Sequence, residues 1–299
     1  MLRSFIVAAT TALCATAVSA ADVTITTYGD TATVPQQPAS VAVFDMASLD
    51  MLDALKVEGI TSTSNTYLPY LEEYQGEIGT LFEPDFEALA ATGPELIIAG
   101  GRSSTQVDAL SKIAPTVDMT LWGDDLLGQT RDRLTAYGKI FDKEDEAASL
   151  IANLDTELEA TKEAVAGKGT ALILLTNGGK ISAYGAGGRF GWLHQELDLD
   201  EAVDGLEDTT HGESISFEFV REANPDWILV LDRVAAIGAE GESATATLDN
   251  AIIADTAAAQ KGQIVHLNSG GFYIASGGIQ STLETLDIIK SAFGSISGS

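Results

Sequence analysis

The sequence contains a single cysteine and only three histidines among its 299 residues. Cys14 lies in an N-terminal segment that we predict to be removed, so the mature chain has no thiol. Disulfide bonds and thiolate chemistry are therefore excluded as explanations of its structure or function. Scattered histidines without a neighbouring cysteine also disfavour a preformed structural metal site.

Positive charge is also scarce. The chain has 16 Lys+Arg against 44 Asp+Glu, a formal net charge of -28. Nucleic acids and anionic membrane surfaces select basic patches, so neither is expected as a partner. Averaged over the molecule, the same charge argues against an anionic ligand as well. The positions of the few arginines decide whether that last inference holds.

Long apolar runs are missing after the N-terminal segment. No later run approaches the roughly 18 residues that a membrane-spanning helix needs. Hydrophobic residues nevertheless make up 45% of the chain, which excludes disorder. A chain of this length forms one large domain or two smaller ones.

Residues 1–20 have the pattern of a secretory signal peptide. Arg3 precedes an apolar stretch, and a small-x-small tripeptide ends at Ala20. We therefore predict cleavage after Ala20 and export to a bacterial periplasm. A membrane anchor would be longer. Lipidation at Cys14 normally requires a small preceding residue, and Leu13 stands there, so we do not expect a lipoprotein.

Short apolar strands alternate with helical patterns over most of the chain. The spacing predicts a hairpin over 23–34, strands over 41–44 and 96–99, and helices over 47–55 and 107–113. Strand–helix alternation of this kind is typical of α/β proteins with mainly parallel sheets.

A different pattern interrupts this alternation. Residues 126–166 are helical in character, with Asp142 as a candidate N-cap in the middle, and alternation resumes at 171. We predict two similar α/β lobes joined by a long rigid helix, with a ligand cleft between them. The expected boundaries are 21–125 for the N-terminal lobe, 126–167 for the connecting helical region and 168–299 for the C-terminal lobe.

An internal repeat supports two lobes of similar construction. The segment FEALAATGPELIIAGGR begins at Phe86, and FEFVREANPDWILVLDR begins at Phe217, an ungapped offset of 131 residues. Each copy predicts a helix, a proline-marked turn and a buried strand, followed by an arginine. Open α/β sheets present ligands at the carboxyl ends of their strands, so both arginines are expected at a ligand site.

The predicted mature chain has six arginines, which fall into two groups. Arg131, Arg133 and Arg221 lie on predicted helices and are expected to be solvated. The other three follow strands or glycine-rich loops, where backbone can approach a ligand: Arg102, Arg189 and Arg233. Guanidinium groups bind oxyanions and stay charged when partly desolvated. Pairing of each arginine with one of the many carboxylates is the alternative.

Several other side chains near these loops are candidates for ligand contact. His211 and Tyr273 carry donor atoms that suit Fe(III), although a surface histidine and a half-buried tyrosine are the simpler interpretations. His194 and His266 are interpreted as structural. Aromatic residues near the glycine-rich loops would line a pocket or form core: Tyr184, Phe190, Trp192 and Phe272.

Taken together, these segments resemble the periplasmic ferric-siderophore-binding proteins of ABC importers. The resemblance covers nearly all of the predicted mature chain and is closest to the branch that binds catecholate siderophores such as petrobactin and enterobactin. It is carried by five motifs: VFDMASLDMLDAL (43–55), GTLFEPDFEALAATGPELIIAGGR (79–102), SAYGAGGRFGWLHQELDLD (182–200), HGESISFEFVREANPDWILVLDRVAAIG (211–238) and VHLNSGGFYIASGG (265–278).

The resemblance implies roles for individual residues. It implies two lobes on a rigid helix, with three arginines holding an anionic ferric catecholate: Arg102, Arg189 and Arg233. His211 and Tyr273 stand where a histidine and a tyrosine complete the iron shell in part of this branch. Glu87 and Glu218, the equivalent acids of the repeat, match the residues that dock on permease arginines. The alternative interpretation is that the negative charges of these two acids stabilise the N-termini of their helices.

The main hypothesis is therefore a monomeric binding protein that captures a ferric siderophore and has no catalytic activity or intrinsic cofactor. A first alternative keeps the fold and changes the ligand to haem or cobalamin, with Tyr273 or His211 as the axial ligand of haem. A secreted hydrolase is a remote alternative, because the chain lacks the G-x-S-x-G and H-E-x-x-H motifs.

Overall fold

The computed structural model describes residues 21–123, 125–206, 209 and 211–295. The predicted signal peptide, its cleavage site after Ala20 and Cys14 lie outside these residues. No helix within the described ranges is long and apolar enough to cross a membrane.

The N-terminal half begins with the predicted hairpin, which is confirmed. Its strands are β1 (Asp22–Thr26) and β2 (Thr31–Pro35), paired antiparallel. A separate sheet follows, formed by β3 (Val41–Val43), β4 (Ile60–Ser62), β5 (Leu96–Ala99) and β6 (Thr116–Asp118). Its order is β4-β3-β5-β6, and all neighbouring strands are parallel, as predicted.

Three α-helices accompany this sheet: α1 (Met46–Ala54), α2 (Phe86–Thr92) and α3 (Val107–Leu110). Two 3-10 helices cover Pro69–Tyr74 and Gly101–Gln106. The side chain of Asp45 accepts a hydrogen bond from the backbone N–H of Ser48 and so caps α1. At the carboxyl edge of the sheet, β5 leads into the 3-10 helix Gly101–Gln106, and β6 leads into the loop before residue 126.

The connecting region is helical, as predicted, and consists of two helices that meet near Asp142. They are α4 (Leu126–Phe141) and α5 (Glu144–Val165). Asp142 is not an N-cap: it ends α4 in the left-handed conformation, with φ 56°. The α5 helix starts with Glu144, Asp145 and Glu146, whose charges favour its N-terminus. The break arises because a left-handed residue cannot continue a right-handed helix.

The C-terminal half contains a five-stranded sheet with the order β11-β10-β7-β8-β9. Its strands are β7 (Ala171–Thr176), β8 (Ile181–Tyr184), β9 (Glu213–Ile215), β10 (Trp227–Asp232) and β11 (Ile264–His266). The first three strands in that order are parallel, and β8 and β9 are added antiparallel. Its helices are α6 (Trp192–Leu197), α7 (Phe217–Ala223), α8 (Arg233–Ala236), α9 (Ala244–Leu248), α10 (Ala251–Ala254), α11 (Ala257–Gln260), α12 (Ser269–Ile274) and α13 (Ile279–Gly294).

The internal repeat is confirmed as a helix, turn and strand in each half. One copy is α2 and β5, and the other is α7 and β10. Leu89 and Val220, at matching positions, are fully buried. Both helices end on a left-handed residue, Gly93 with φ 60° and Asn224 with φ 43°.

The acid after each repeat proline also has the same structural role. Glu95 Oε2 accepts a hydrogen bond from the backbone N–H of Ala39 at 2.7 Å. Asp226 Oδ2 accepts one from the N–H of Thr170 at 3.2 Å. Each carboxylate thus fixes the backbone just before the neighbouring strand of its own sheet. This shared contact extends the similarity of the two halves beyond the repeat itself.

A buried carboxylate joins the two halves. Asp50 on α1 accepts hydrogen bonds from the hydroxyl of Tyr70 at 2.6 Å and from the backbone N–H groups of Gln280 and Ser281 at 2.8 and 3.0 Å. It therefore caps the first turn of α13 from the opposite half of the molecule. The lobe boundaries 21–125, 126–167 and 168–299 stay a prediction.

Arg133 is buried, which corrects the expectation that it is solvated. It is 4% exposed. Its guanidinium group donates to the backbone carbonyls of Met119, Thr26 and Thr120 at 3.3, 3.1 and 3.3 Å. A buried cation loses its hydrating water, and carbonyl oxygens at or just after the ends of β1 and β6 accept the hydrogen bonds of Arg133 in its place. The side chain fastens the hairpin to the segment that follows β6.

The two histidines interpreted as structural differ in burial. His194 on α6 is 6% exposed, and its Nδ1 atom is 2.8 Å from the carbonyl oxygen of Leu199. Burial lowers its pKa. His266 ends β11 and is exposed. The structural interpretation is therefore confirmed for His194 by its contacts, and His266 is a surface residue of a strand.

We expect Arg133→Ala to lower the free energy of unfolding by about 2–4 kcal/mol, because three buried carbonyls lose a charged donor. Arg131→Ala is the matched control on the same helix. Its ion pair with Asp155 is partly exposed, so about 1 kcal/mol or less is expected. Urea unfolding of both variants measures the difference. Equal effects would contradict the anchoring role of Arg133.

Asp50 generates a pH-dependent prediction. Burial raises its pKa to about 6, although four hydrogen bonds oppose the shift. The native state therefore favours the protonated carboxyl of Asp50. This contribution to stability is complete below the unfolded pKa of about 4 and is lost as pH rises through the native pKa of about 6. Between pH 4 and 7, the unfolding free energy of the native protein should fall relative to Asp50→Asn by about 3 kcal/mol. Parallel pH curves would contradict the shift.

Candidate functional site

The three arginines singled out by sequence all lie at loops beside the sheets. Arg102 lies in the 3-10 helix that follows β5, and Arg233 starts α8 directly after β10. Arg189 lies in the glycine-rich turn between β8 and α6. All three are half-buried. The repeat therefore delivers Arg102 and Arg233 to the carboxyl ends of equivalent strands, as predicted.

The structure brings these three side chains together around Tyr273. Their Cζ atoms lie 5.4 Å (Arg102), 4.7 Å (Arg189) and 5.9 Å (Arg233) from the centroid of the Tyr273 ring. Tyr273 belongs to α12, in the C-terminal half, whereas Arg102 belongs to the N-terminal half. The cluster thus lies where the two halves meet. Each guanidinium is within the range of a cation–π interaction.

Hydrogen bonds fix the orientation of the cluster. Arg189 and Arg102 both donate to the backbone carbonyl of Tyr273, at 2.7 and 3.1 Å, and Arg102 also donates to the carbonyl of Ile274 at 3.3 Å. Arg233 donates to the Tyr273 hydroxyl at 3.2 Å and to Asn177 Oδ1 at 3.3 Å.

Every acceptor in this set is a neutral oxygen. The ion pairs among the described residues involve other side chains. Among the residues that the structure describes, none of the three arginines forms an ion pair with a carboxylate, the alternative considered for them.

The charge of the cluster shifts two pKa values. Burial acts to raise the pKa of Tyr273, but the hydrogen bond from Arg233 and the charges of all three guanidinium groups together lower it. The pKa of Arg189 is lowered, first by burial and then by the like charge of Arg102. The lowered pKa of Tyr273 thus reflects the positive charges around it, and the charge of Arg102 also acts on the buried carboxyl of Asp45.

The aromatic residues expected to line a pocket lie beneath this cluster. Tyr184, Trp192 and Phe272 are 2%, 5% and 3% exposed. Phe190 packs against the rings of Tyr184 and Phe272 at centroid distances of 4.7 and 4.9 Å. These rings form a buried layer near Tyr273, and contact of Tyr184, Trp192 or Phe272 with a ligand stays a prediction.

The turn that carries Arg189 depends on a glycine. A β-carbon added at Gly191 would lie 1.9 Å from the carbonyl oxygen of Ala186, closer than any side chain allows. The tight return of the chain places Arg189 over the ring of Phe190, with its Cζ atom 5.0 Å from the ring centroid. The glycine-rich run noted in the sequence therefore positions the arginine.

His211 is exposed in the turn before β9. The next residue, Gly212, has φ 71°, and a β-carbon there would lie 2.8 Å from the ring of Tyr184. His211 is thus held near the edge of the aromatic core. Contact of His211 or Tyr273 with iron stays a prediction. Within the described part of the chain, no three His, Cys, Asp or Glu side chains are grouped as a metal site.

The two predicted docking acids lie at equivalent surface positions. Glu87 and Glu218 are the second residues of α2 and α7, and both are exposed. Exposure fits either a partner contact or a helix N-terminus. Asn177, which orients Arg233, was missed from the sequence. Its position just after β7, at the same edge of the sheet as Arg233, is the signal that would have found it.

The fold and the cluster define a class. The family described as periplasmic binding protein matches residues 41–270, and the chain belongs to this family. The petrobactin-binding protein YclQ of Bacillus subtilis is 34% identical over 266 residues, covering 86% of this chain and 83% of YclQ. The ferric-anguibactin-binding protein FatB of Vibrio anguillarum is 28% identical over 269 residues, with 86% and 83% covered.

Solved structures agree with these matches. The crystal structure of YclQ superposes with a TM-score of 0.84 at 31% identity, covering 91% of this chain and 99% of that one. The periplasmic catecholate-siderophore binding protein VctP of Vibrio cholerae superposes with a TM-score of 0.84 at 30% identity, covering 91% and 100%. The predicted α/β fold and the resemblance to siderophore-binding proteins are confirmed.

The lowered pKa of Tyr273 is measurable. We expect its phenol to ionise before that of the buried Tyr137, whose pKa burial raises, and before Tyr184, whose pKa burial raises to about 12. Arg233→Ala removes a hydrogen bond and a positive charge, so it should move this ionisation to higher pH. Ultraviolet difference titration measures the shift, with Tyr273→Phe to assign it and the exposed Arg221→Ala as control. An unchanged titration in Arg233→Ala would contradict the coupling.

Proposed function

We propose that this protein captures an anionic ferric siderophore of the catecholate type in the periplasm and delivers it to an ABC permease for iron uptake. The observation that carries the proposal is the cluster of Arg102, Arg189 and Arg233 around Tyr273, whose hydrogen-bond acceptors among the described residues are neutral oxygens. The names of YclQ, FatB and VctP support the ligand class.

Charge supports the catecholate assignment. A ferric tris-catecholate carries about three negative charges, which three guanidinium groups match. Partly desolvated guanidinium groups bond strongly to such oxygens, and each contact is worth roughly 1.5–3 kcal/mol. Exchange of the Tyr273 and Ile274 carbonyls for ligand oxygens replaces neutral acceptors by charged ones. The acidity of the remaining surface matters little, because salt screens it within about 8–10 Å.

Iron itself is cargo in this proposal. Because the pKa of Tyr273 is lowered, its hydroxyl loses a proton more easily to form a phenolate. Phenolate and imidazole both suit Fe(III). Tyr273 and His211 would therefore complete the iron shell when the siderophore leaves coordination positions open. The protein performs no chemistry on its ligand and holds no resident cofactor.

Delivery rests on the two surface acids. Glu87 and Glu218 occupy equivalent positions on α2 and α7, one in each half. We propose that they pair with arginines of the permease, and that the protein works as a monomer because each copy carries both contacts. The signal peptide ending at Ala20 would bring the chain to the periplasm.

A fluorescence titration against ferric enterobactin, ferric petrobactin, a ferric hydroxamate and haem tests the ligand class. Ferric catecholates should bind tightly, quench tryptophan emission and comigrate with the protein on a sizing column. Arg189→Ala should weaken binding by about 10- to 100-fold, since one charged contact is lost. Arg221→Ala, an exposed arginine on α7, is the matched control and should bind as the native protein does.

Two results would overturn the proposal. One is the absence of any quench or comigration with ferric catecholates. The other is unchanged affinity of Arg189→Ala, which would remove the cluster from the ligand site. Haem binding with a Soret shift in place of catecholate binding would favour the alternative ligand.

A further inference from the structure

One aromatic side chain near the cluster is exposed although it is large and apolar. Trp122 lies in the loop between β6 and α4, and 48% of its surface is accessible. The other two tryptophans are buried: Trp192 packs against Phe272 with ring centroids 5.9 Å apart, and Trp227 stacks on Phe293 with ring centroids 3.6 Å apart. The proposed function gives no role to an exposed indole.

The segment leading to Trp122 contacts both halves of the molecule. Thr120 Oγ1 accepts a hydrogen bond from the N–H of Gly101, beside Arg102, at 2.8 Å. On the other side, a β-carbon placed at Gly277 would lie 2.5 Å from Leu121 Cδ1. Gly277 follows the helix that carries Tyr273. Residues 120–121 thus contact the residue before Arg102 and a residue of the C-terminal half, and Trp122 comes next.

The backbone of Trp122 is clamped. Its N–H donates to Gln129 Oε1 at 3.0 Å, and Gln129 Nε2 donates to the carbonyl of Trp122 at 2.7 Å. Just upstream, the buried guanidinium of Arg133 holds the carbonyls of Met119 and Thr120. Gln129 and Arg133 therefore hold the backbone of this loop, while the indole of Trp122 is exposed.

We propose that Trp122 is a ligand-contacting residue that packs its indole against a catecholate ring of the bound siderophore and favours aromatic over non-aromatic iron chelators. Aromatic rings in offset or edge-to-face contact attract each other beyond the area they bury. Guanidinium groups alone recognise charge and would accept hydroxamate or carboxylate chelators of similar charge. The proposal rests on the proposed function, because it presupposes an aromatic ligand at the arginine cluster.

Calorimetric titration of the full mature chain with ferric enterobactin tests the contact. Trp122→Ala should raise Kd about three- to ten-fold, the range expected for loss of one aromatic pair. Trp122→Phe should stay within about two-fold, because a phenyl ring preserves stacking. Phe82→Ala, which removes a ring that is 56% exposed in the turn before α2, is the matched control and should leave Kd unchanged.

Fluorescence gives a second readout that does not depend on affinity. If the indole touches the ligand, Trp122→Phe should lose the larger part of the quench at saturation, and Trp227→Phe should retain it. Native Kd in Trp122→Ala together with a full quench in Trp122→Phe would overturn this inference. If Arg189→Ala is still impaired in the same series, the proposed function stands. Failure of the native protein to bind ferric enterobactin or ferric petrobactin would instead overturn the proposed function.

Discussion

Three guanidinium groups share one tyrosine in a chain whose formal net charge is -28. Like charges at one half-buried place repel each other, and this is unfavourable unless nearby oxygen atoms stabilise each charge through hydrogen bonds. Here the backbone carbonyls of Tyr273 and Ile274 and the side-chain oxygens of Tyr273 and Asn177 do so. None of these acceptors cancels the charge. Much of the architecture can be understood as the means of holding this arrangement.

The two halves contribute to the cluster in different ways. The repeat brings Arg102 and Arg233 to equivalent strand ends, while the glycine-rich turn brings Arg189 and α12 brings Tyr273. Arg102 crosses from one half to the other through its hydrogen bonds to Tyr273 and Ile274. Asp50 makes a second connection, at the start of α13. Hydrogen bonds therefore join the two halves at two places: in the arginine cluster, and between α1 and α13.

Much of this could be predicted from the sequence, because local patterns carry it. Alternating apolar residues predict the hairpin, and short apolar runs predict β3 and β5. Matching prolines at equal spacing identify the repeat. The three arginines stood out because so few arginines are present and because these follow strands or glycines. Tyr273 was a candidate because its phenol suits Fe(III) and it follows a glycine-rich loop, but nothing local predicted that three arginines would surround it.

The failures share a physical cause: they depend on partners distant in sequence. Arg133 looks like a solvated helix residue until β1 and the end of β6 surround it with carbonyls. Asp142 resembles an N-cap, yet packing of two helices makes it a C-cap. Tyr184, Trp192 and Phe272 were placed near the correct loops, but their depth depends on how three separate segments stack.

The acidity that first argued against an anionic ligand is a property of the surface as a whole, and the ligand site is a local exception to it. A crystal structure of the protein with a bound ferric catecholate tests this claim most directly. We expect all three guanidinium groups to lie within hydrogen-bond distance of the ligand's oxygens, beside Tyr273. A ligand bound elsewhere, with the arginines still hydrogen-bonded to the oxygens of Tyr273, Ile274 and Asn177, would contradict it.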